Sequence, residues 1–189
     1  MSSSWSASTR KPTSRRPSTN WSRLNSFAAA ALAAALAGAG CGGGGAASGG
    51  RKAPDFSLKD LSGRAVGLTD FAGKVVLIDF WATYCIPCAD AIPEIQKLYE
   101  THREKGFEVV GISVDPFVKN VPSFVKELKV GYTIVLDPDA KAQDAYRVRG
   151  LPETFLVGRD GALLEHWIGY DEELKAEIKN AVESALRAS

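Results

Sequence analysis

The sequence predicts an α/β domain with a mixed central β-sheet and helices on both faces. Three observations predict it. Val75 to Phe80 is an apolar run broken only by Asp79, and Phe107 to Val114 is a second strand of similar kind. Runs without period-2 alternation suit strands buried on both sides, as in parallel sheets. Segments with helical spacing of apolar residues separate these strands. Near the end, Arg159-Asp160-Gly161 gives the Asp-Gly signal of a hairpin, so antiparallel pairs must join the parallel ones.

The elements follow in order. Phe56-Ser57-Leu58 and Ala65-Val66-Gly67-Leu68 flank the turn residues Asp60-Leu61-Ser62-Gly63 and read as an N-terminal β-hairpin. The strand 75–80 comes next. Ile86 to Lys105 reads as a helix with Ile92, Ile95, Leu98 and Tyr99 on one face; Pro93 inside it predicts a kink, and Gly106 fits its end. The strand 107–114 stops at Asp115-Pro116. Residues 118–128 read as a helix, with Pro122 in its first turn or at a kink. Thr133 to Leu136 is a short strand and Ala140 to Tyr146 a short helix. Glu153 to Val157 and Leu163 to Ile168 form the hairpin strands. Asp171 to Leu186 is a terminal helix whose stripe is Leu174, Ile178, Val182, Ala185 and Leu186. The order β-α-β-α-β-α-β-β-α mixes crossover units with a final hairpin.

The 189 residues suit one domain plus appendages. An apolar fraction of 45% and a charged fraction of 24% are ordinary globular values. The N-terminus differs. Residues 1–26 hold Arg10, Lys11, Arg15, Arg16 and Arg23 without an acid, among many Ser, Thr and Pro. The Ala-rich run 27–37 and the small residues Gly38-Ala39-Gly40 follow, then Cys41. Basic, short apolar and small-residue segments are the parts of a secretory signal peptide. The apolar run is shorter than the ~20 residues that span a bilayer.

Small residues before Cys41 resemble a bacterial lipoprotein signal, which would make Cys41 the lipid attachment point. Gly38 stands where that pattern usually has Leu, and cleavage after Ala37-Gly38-Ala39 is the competing reading. The domain reading is therefore a signal peptide at 1–40, a Gly-rich tether at 41–52 and a folded domain at 53–189. Gly42 to Gly50 would reach an r.m.s. of about 15–18 Å. Removing the five leader cations from a formal net charge of +1 leaves −4. The basic excess belongs to the leader, and no nucleic-acid surface is implied.

Cys85-Ile86-Pro87-Cys88 directly follows the first buried strand. Two thiols at this spacing can close a small disulfide ring when the second lies on a helix begun by the first. Unpaired N–H groups and the helix dipole favour a thiolate at Cys85, making it the candidate nucleophile. Cys88, one turn on, is the candidate resolving thiol. Pro87 suits a position whose N–H has no helical partner. Asp79 is the only charge in its strand, and burial there would raise its pKa.

Lys74 to Cys88, followed by Gly150-Leu151-Pro152-Glu153-Thr154-Phe155-Leu156-Val157, resembles the thioredoxin superfamily. Within it the chain is similar to the membrane-tethered TlpA/ResA-like thiol-disulfide oxidoreductases, over roughly residues 53–186. The resemblance implies a thioredoxin fold with a helical insert after the strand 107–114. It implies a cis peptide before Pro152, facing the cysteines, and a proton-transfer role for Asp79. Trp81, Pro87, Leu151 and Pro152 are the implied substrate groove. No dissociable cofactor and no metal are implied. The implied partners are a transmembrane thiol reductase as electron donor and oxidised envelope proteins, apocytochrome c among them, as clients. The chain departs from the pattern at Ala91, where many members carry Glu.

Other readings of the same residues differ in chemistry. A structural disulfide usually staples more distant segments. Zinc needs about four ligands, and His102 and His166 are remote in sequence and read as surface or packing residues. A copper chaperone would want one more residue between the cysteines. A peroxiredoxin-like peroxidase would place Pro seven and Thr or Ser three residues before its cysteine; Ile78 and Ala82 stand there. A non-catalytic tethered client-binding module is the remaining alternative.

Overall fold

A computed structural model describes residues 50–188; the predicted leader, Cys41 and the start of the tether lie outside the described residues. The strands are β1 (Ser57–Asp60), β2 (Ala65–Gly67), β3 (Val75–Trp81), β4 (Phe107–Ser113), β5 (Thr133–Leu136), β6 (Glu153–Val157) and β7 (Leu163–Ile168). The helices are α1 (Ile86–His102), α2 (Val121–Glu127), α3 (Lys141–Tyr146) and α4 (Glu172–Arg187). The sheet runs β2-β1-β5-β4-β3-β6-β7. β3, β4 and β5 are parallel, and the other pairs are antiparallel. This is the mixed sheet that the two buried runs and the Asp-Gly turn predicted.

Strand alternation divides the core in two. Val75, Leu77 and Trp81 of β3 face α1, α2 and α4, packing with Cys88, Ile92, Ile95, Val121, Ile178 and Val182. Val76, Ile78 and Phe80 face the opposite side, with Phe56, Leu58, Val66 and the α3 residues Ala142 and Tyr146. All seven β3 residues are buried, which explains why its sequence shows no alternation.

The boundaries shift by short distances, for local reasons. α1 ends at His102 and its continuation to Lys105 is a 3-10 turn. Gly106 then takes a left-handed φ of 82°, and a Cβ there would lie 2.7 Å from the Arg159 guanidinium. The predicted helix 118–128 is a 3-10 turn, Val118–Asn120, followed by α2, with Pro122 in its first turn. Asp171 is the N-cap of α4, its carboxylate accepting from Leu174 N at 2.8 Å. The chain is already paired to the sheet at Arg51, whose carbonyl accepts from Leu163 N at 2.8 Å.

Candidate active site

The site forms where β3 gives way to α1. Thr83 turns the chain out of the sheet, and Asp115 holds that turn. The Asp115 carboxylate accepts from Thr83 N at 3.0 Å, Thr83 Oγ1 at 2.6 Å and Ser113 Oγ at 2.8 Å. Asp115 is 3% exposed, so these charge-assisted bonds fix the chain just before Cys85. In the sequence Asp115 marks only the end of a strand; its partner Thr83 lies 32 residues away.

Cys85 is the N-cap of α1 in extended conformation, with Pro87 in the first turn. That is where Ser, Thr, Asp or Asn usually offers an oxygen to the unpaired N–H groups. A thiolate there meets the same donors and the positive end of the helix. Cys85 and Cys88 are joined as a disulfide, with their Cα atoms 5.3 Å apart. Cys85 is half-buried, whereas Cys88 is wholly buried against the sheet. Tyr84, Ile86 and Pro87 are exposed around Cys85, and Phe117, from the loop after β4, is exposed too.

Asp79 is fully buried. Strand alternation points it to the α1 face, with Leu77 and Trp81, the side on which Cys88 packs. Its neighbours in register are Gly111 of β4 and Thr154 of β6. Thr154 Oγ1 donates to Asp79 Oδ1 at 3.2 Å, while Oδ2 has no hydrogen-bond partner among the described residues. Burial pushes the Asp79 carboxyl from 3.8 up to about 7, against the smaller lowering by Thr154. A group with that pKa can hold or give up a proton near neutral pH. Gly111 beside it is closely packed: a Cβ would lie 2.7 Å from Ile134 Cδ1 and 3.0 Å from Trp81 Nε1, so those side chains would have to shift.

Leu151-Pro152 is a cis peptide. Pro152 is buried and Leu151 half-buried. Gly169 N donates to the Pro152 carbonyl at 2.8 Å. The Leu151 N–H and C=O have no hydrogen-bond partner among the described residues. Trp81 is wholly buried and stacks on Phe124, ring centroids 5.3 Å apart. It supports the motif from below, and a client cannot touch it; the exposed aromatic surface belongs to Tyr84 and Phe117. Ala91 is buried in the core beneath α1, and Asp79 is a buried acid carried by the strand on that side. His102 is buried, whereas His166 meets Glu153 at 2.6 Å. No three His, Cys, Asp or Glu side chains among the described residues cluster to hold a metal.

A model of the AhpC/TSA family matches residues 49–166. The chain belongs to that family. It is 35% identical over 130 residues to the thiol-disulfide oxidoreductase ResA of Bacillus cereus, covering 69% of this chain and 74% of that one. A solved structure from Chlorobium tepidum, assigned as thiol:disulfide interchange protein DsbE, superposes with a TM-score of 0.70. Its identity is 33%, over 72% of this chain and 96% of that one. The thioredoxin domain of a Bacteroides vulgatus thiol-disulfide oxidoreductase gives a TM-score of 0.63 at 30% identity, over 70% and 96% of the two chains. This AhpC/TSA chain is thus a ResA-like thiol-disulfide oxidoreductase with a thioredoxin fold.

Proposed function

We propose that this chain reduces protein disulfides on the outer side of a membrane, with Cys85 as nucleophile. The observation that carries the reading is the asymmetry of the pair: Cys85 is accessible at a helix N-terminus, and Cys88 is buried behind it. The Cys85 thiolate attacks one sulfur of a client disulfide. A mixed disulfide forms, and the other client sulfur leaves as a thiolate that takes up a proton. Cys88 then attacks Cys85 Sγ and releases the second client thiol. The client gains two electrons and two protons, and Cys85–Cys88 becomes the disulfide. Asp79 accepts the Cys88 proton as that thiol turns nucleophile, a role its raised pKa and its place on the Cys88 face support.

Leu151, Pro152 and Pro87 form the client groove. Pro152 has no N–H, and the Leu151 peptide groups are open to pair with an extended client. Each turnover leaves the pair oxidised, so a dithiol must restore it. A transmembrane thiol reductase is the donor class that fits an exported chain, and oxidised envelope proteins, including apocytochrome c, are the client class. The leader 1–40, lipid attachment at Cys41 and the tether complete the reading by placing the domain just off the membrane.

Insulin reduction with dithiothreitol tests the activity. Multiple turnovers are the expected result, and stoichiometric trapping would favour a binding module. The Cys85–Cys88 potential tests the direction: a value near about −270 mV supports reduction, and one near about −120 mV overturns it.

A further inference from the structure

Two buried acids take no part in the thiol chemistry: Asp137, which accepts from Lys141 N and Gln143 N at the start of α3, and Glu153. Glu153 directly follows Pro152 and is 1% exposed. Its Oε2 accepts from Arg149 N at 2.8 Å and from Gly150 N at 3.3 Å. Its Oε1 lies 2.6 Å from His166 Nε2. The His166 ring is held in turn by Phe155, its register neighbour, with centroids 4.4 Å apart and planes at 18°. Alternation along β6 puts Glu153 and Phe155 on the face opposite Asp79 and Thr154. Glu153 therefore cannot reach the cysteines, and it grips the Pro152 loop from behind.

The grip sets the direction of the loop's backbone, because buried peptide groups need partners. Val148 N donates to Gln143 O of α3. Arg149 N and Gly150 N both turn inward to Glu153. Pro152 has no N–H, and its carbonyl is taken by Gly169 N. Within residues 148–152, Leu151 is the one whose N–H and C=O both lack a hydrogen-bond partner among the described residues. If Glu153 released the two N–H groups, the 149–150 peptides could rotate and Leu151 would lose its fixed direction. A carboxyl group offers one oxygen to two N–H groups and the other to an imidazole nitrogen without bringing in a competing N–H.

We propose that Glu153 and His166 are positioning residues for client binding: they lock the 149–150 backbone so that Leu151 presents its N–H and C=O to an extended client beside Cys85. The inference rests on the client groove assigned above.

The test uses the full chain and three variants, Glu153→Ala, His166→Phe and His166→Gln. The phenylalanine keeps the stack on Phe155 and removes the donor; the glutamine restores a donor. KM and kcat for insulin reduction are measured beside direct reduction of the Cys85–Cys88 disulfide by dithiothreitol, which needs no peptide pairing. Glu153→Ala and His166→Phe are expected to raise KM for insulin about tenfold, the scale of a small misplacement of a binding group. His166→Gln should stay within about twofold of the parent KM, and direct reduction by dithiothreitol should hold in all three. An unchanged KM in His166→Phe overturns the inference, as does a parallel fall in the dithiothreitol rate, which signals general damage. If Glu153→Ala does not fold, the two His166 variants carry the comparison. Failure of the parent chain to turn over insulin overturns the reductase reading and this inference together; normal turnover with an unmoved KM overturns the inference alone.

Discussion

Asp79→Asn should stabilise this domain, by an amount that depends on pH in a defined direction. Burial raises the Asp79 carboxyl from 3.8 to about 7. The folded state therefore binds a proton that the unfolded state has released, over the interval between those values. Stability falls as pH rises through that interval, because the native state holds the extra proton. Below 3.8 both states are protonated and the carboxyl costs nothing. Above 7 the folded state carries a buried charge, and the full cost is about 4 kcal/mol at about 1.36 kcal/mol per pKa unit. Asparagine has nearly the same shape, keeps an acceptor for Thr154 and has no proton to lose. Urea unfolding of the oxidised protein should thus show the variant about 4 kcal/mol more stable at pH 8, and less than about 1 kcal/mol more stable at pH 4. The difference in melting temperature at pH 8 should be on the order of 10 °C. A variant no more stable than the parent at pH 8, or an advantage that does not shrink on acidification, would refute the burial argument.

The remaining predictions concern the same end of the sheet. Asp79→Asn should also slow the Cys88 step and remove an inflection near pH 7 from the pH profile of insulin reduction; a profile identical to the parent's would separate Asp79 from proton transfer. Cys88→Ser should accumulate mixed disulfides with clients on non-reducing gels, and Cys85→Ser should not; the reverse pattern exchanges the two roles. Asp115→Ala strips Thr83 and Ser113 of a shared buried acceptor and should cost about 2–3 kcal/mol in a urea titration. Gly111→Ala places a methyl against Ile134 and Trp81 and should cost about 1–3 kcal/mol through overpacking; an unchanged midpoint would mean that the rings yield freely.

The strands and helices were legible because burial writes a period into the sequence. β3 could be read from its apolar run, the β6–β7 hairpin from Asp160-Gly161, and the reactive pair from Cys85 and Cys88 after a buried strand. Asp79 stood out as one charge among apolar neighbours, and burial accounts for its shifted pKa. Residues whose role depends on distant partners were not legible. Asp115 reaches Thr83 across 32 residues, and nothing near either position announces the bond. The resemblance places Trp81 in the client groove, but β3 is covered on both faces and Trp81 lies buried on the α1 side against Phe124. His166 and Glu153, 13 residues apart, meet only because β6 and β7 pair in the observed register.

β6 links these observations. A strand sends successive side chains to opposite faces, and β6 begins directly after Pro152. Thr154 faces the α1 side and donates to Asp79, the group proposed to take the Cys88 proton. Glu153, one residue earlier, faces the other side and holds the backbone that leads to Leu151. The two sets of hydrogen bonds share a strand but no side chain, and the sheet separates them. Changes at Glu153 should therefore act on client binding, and changes at Thr154 on proton transfer. A double substitution, Thr154→Val with His166→Phe, should show additive losses in log kcat/KM for insulin, as expected of sites without shared partners. A strong departure from additivity would mean that movement of the Pro152 loop is transmitted through β6 to Asp79.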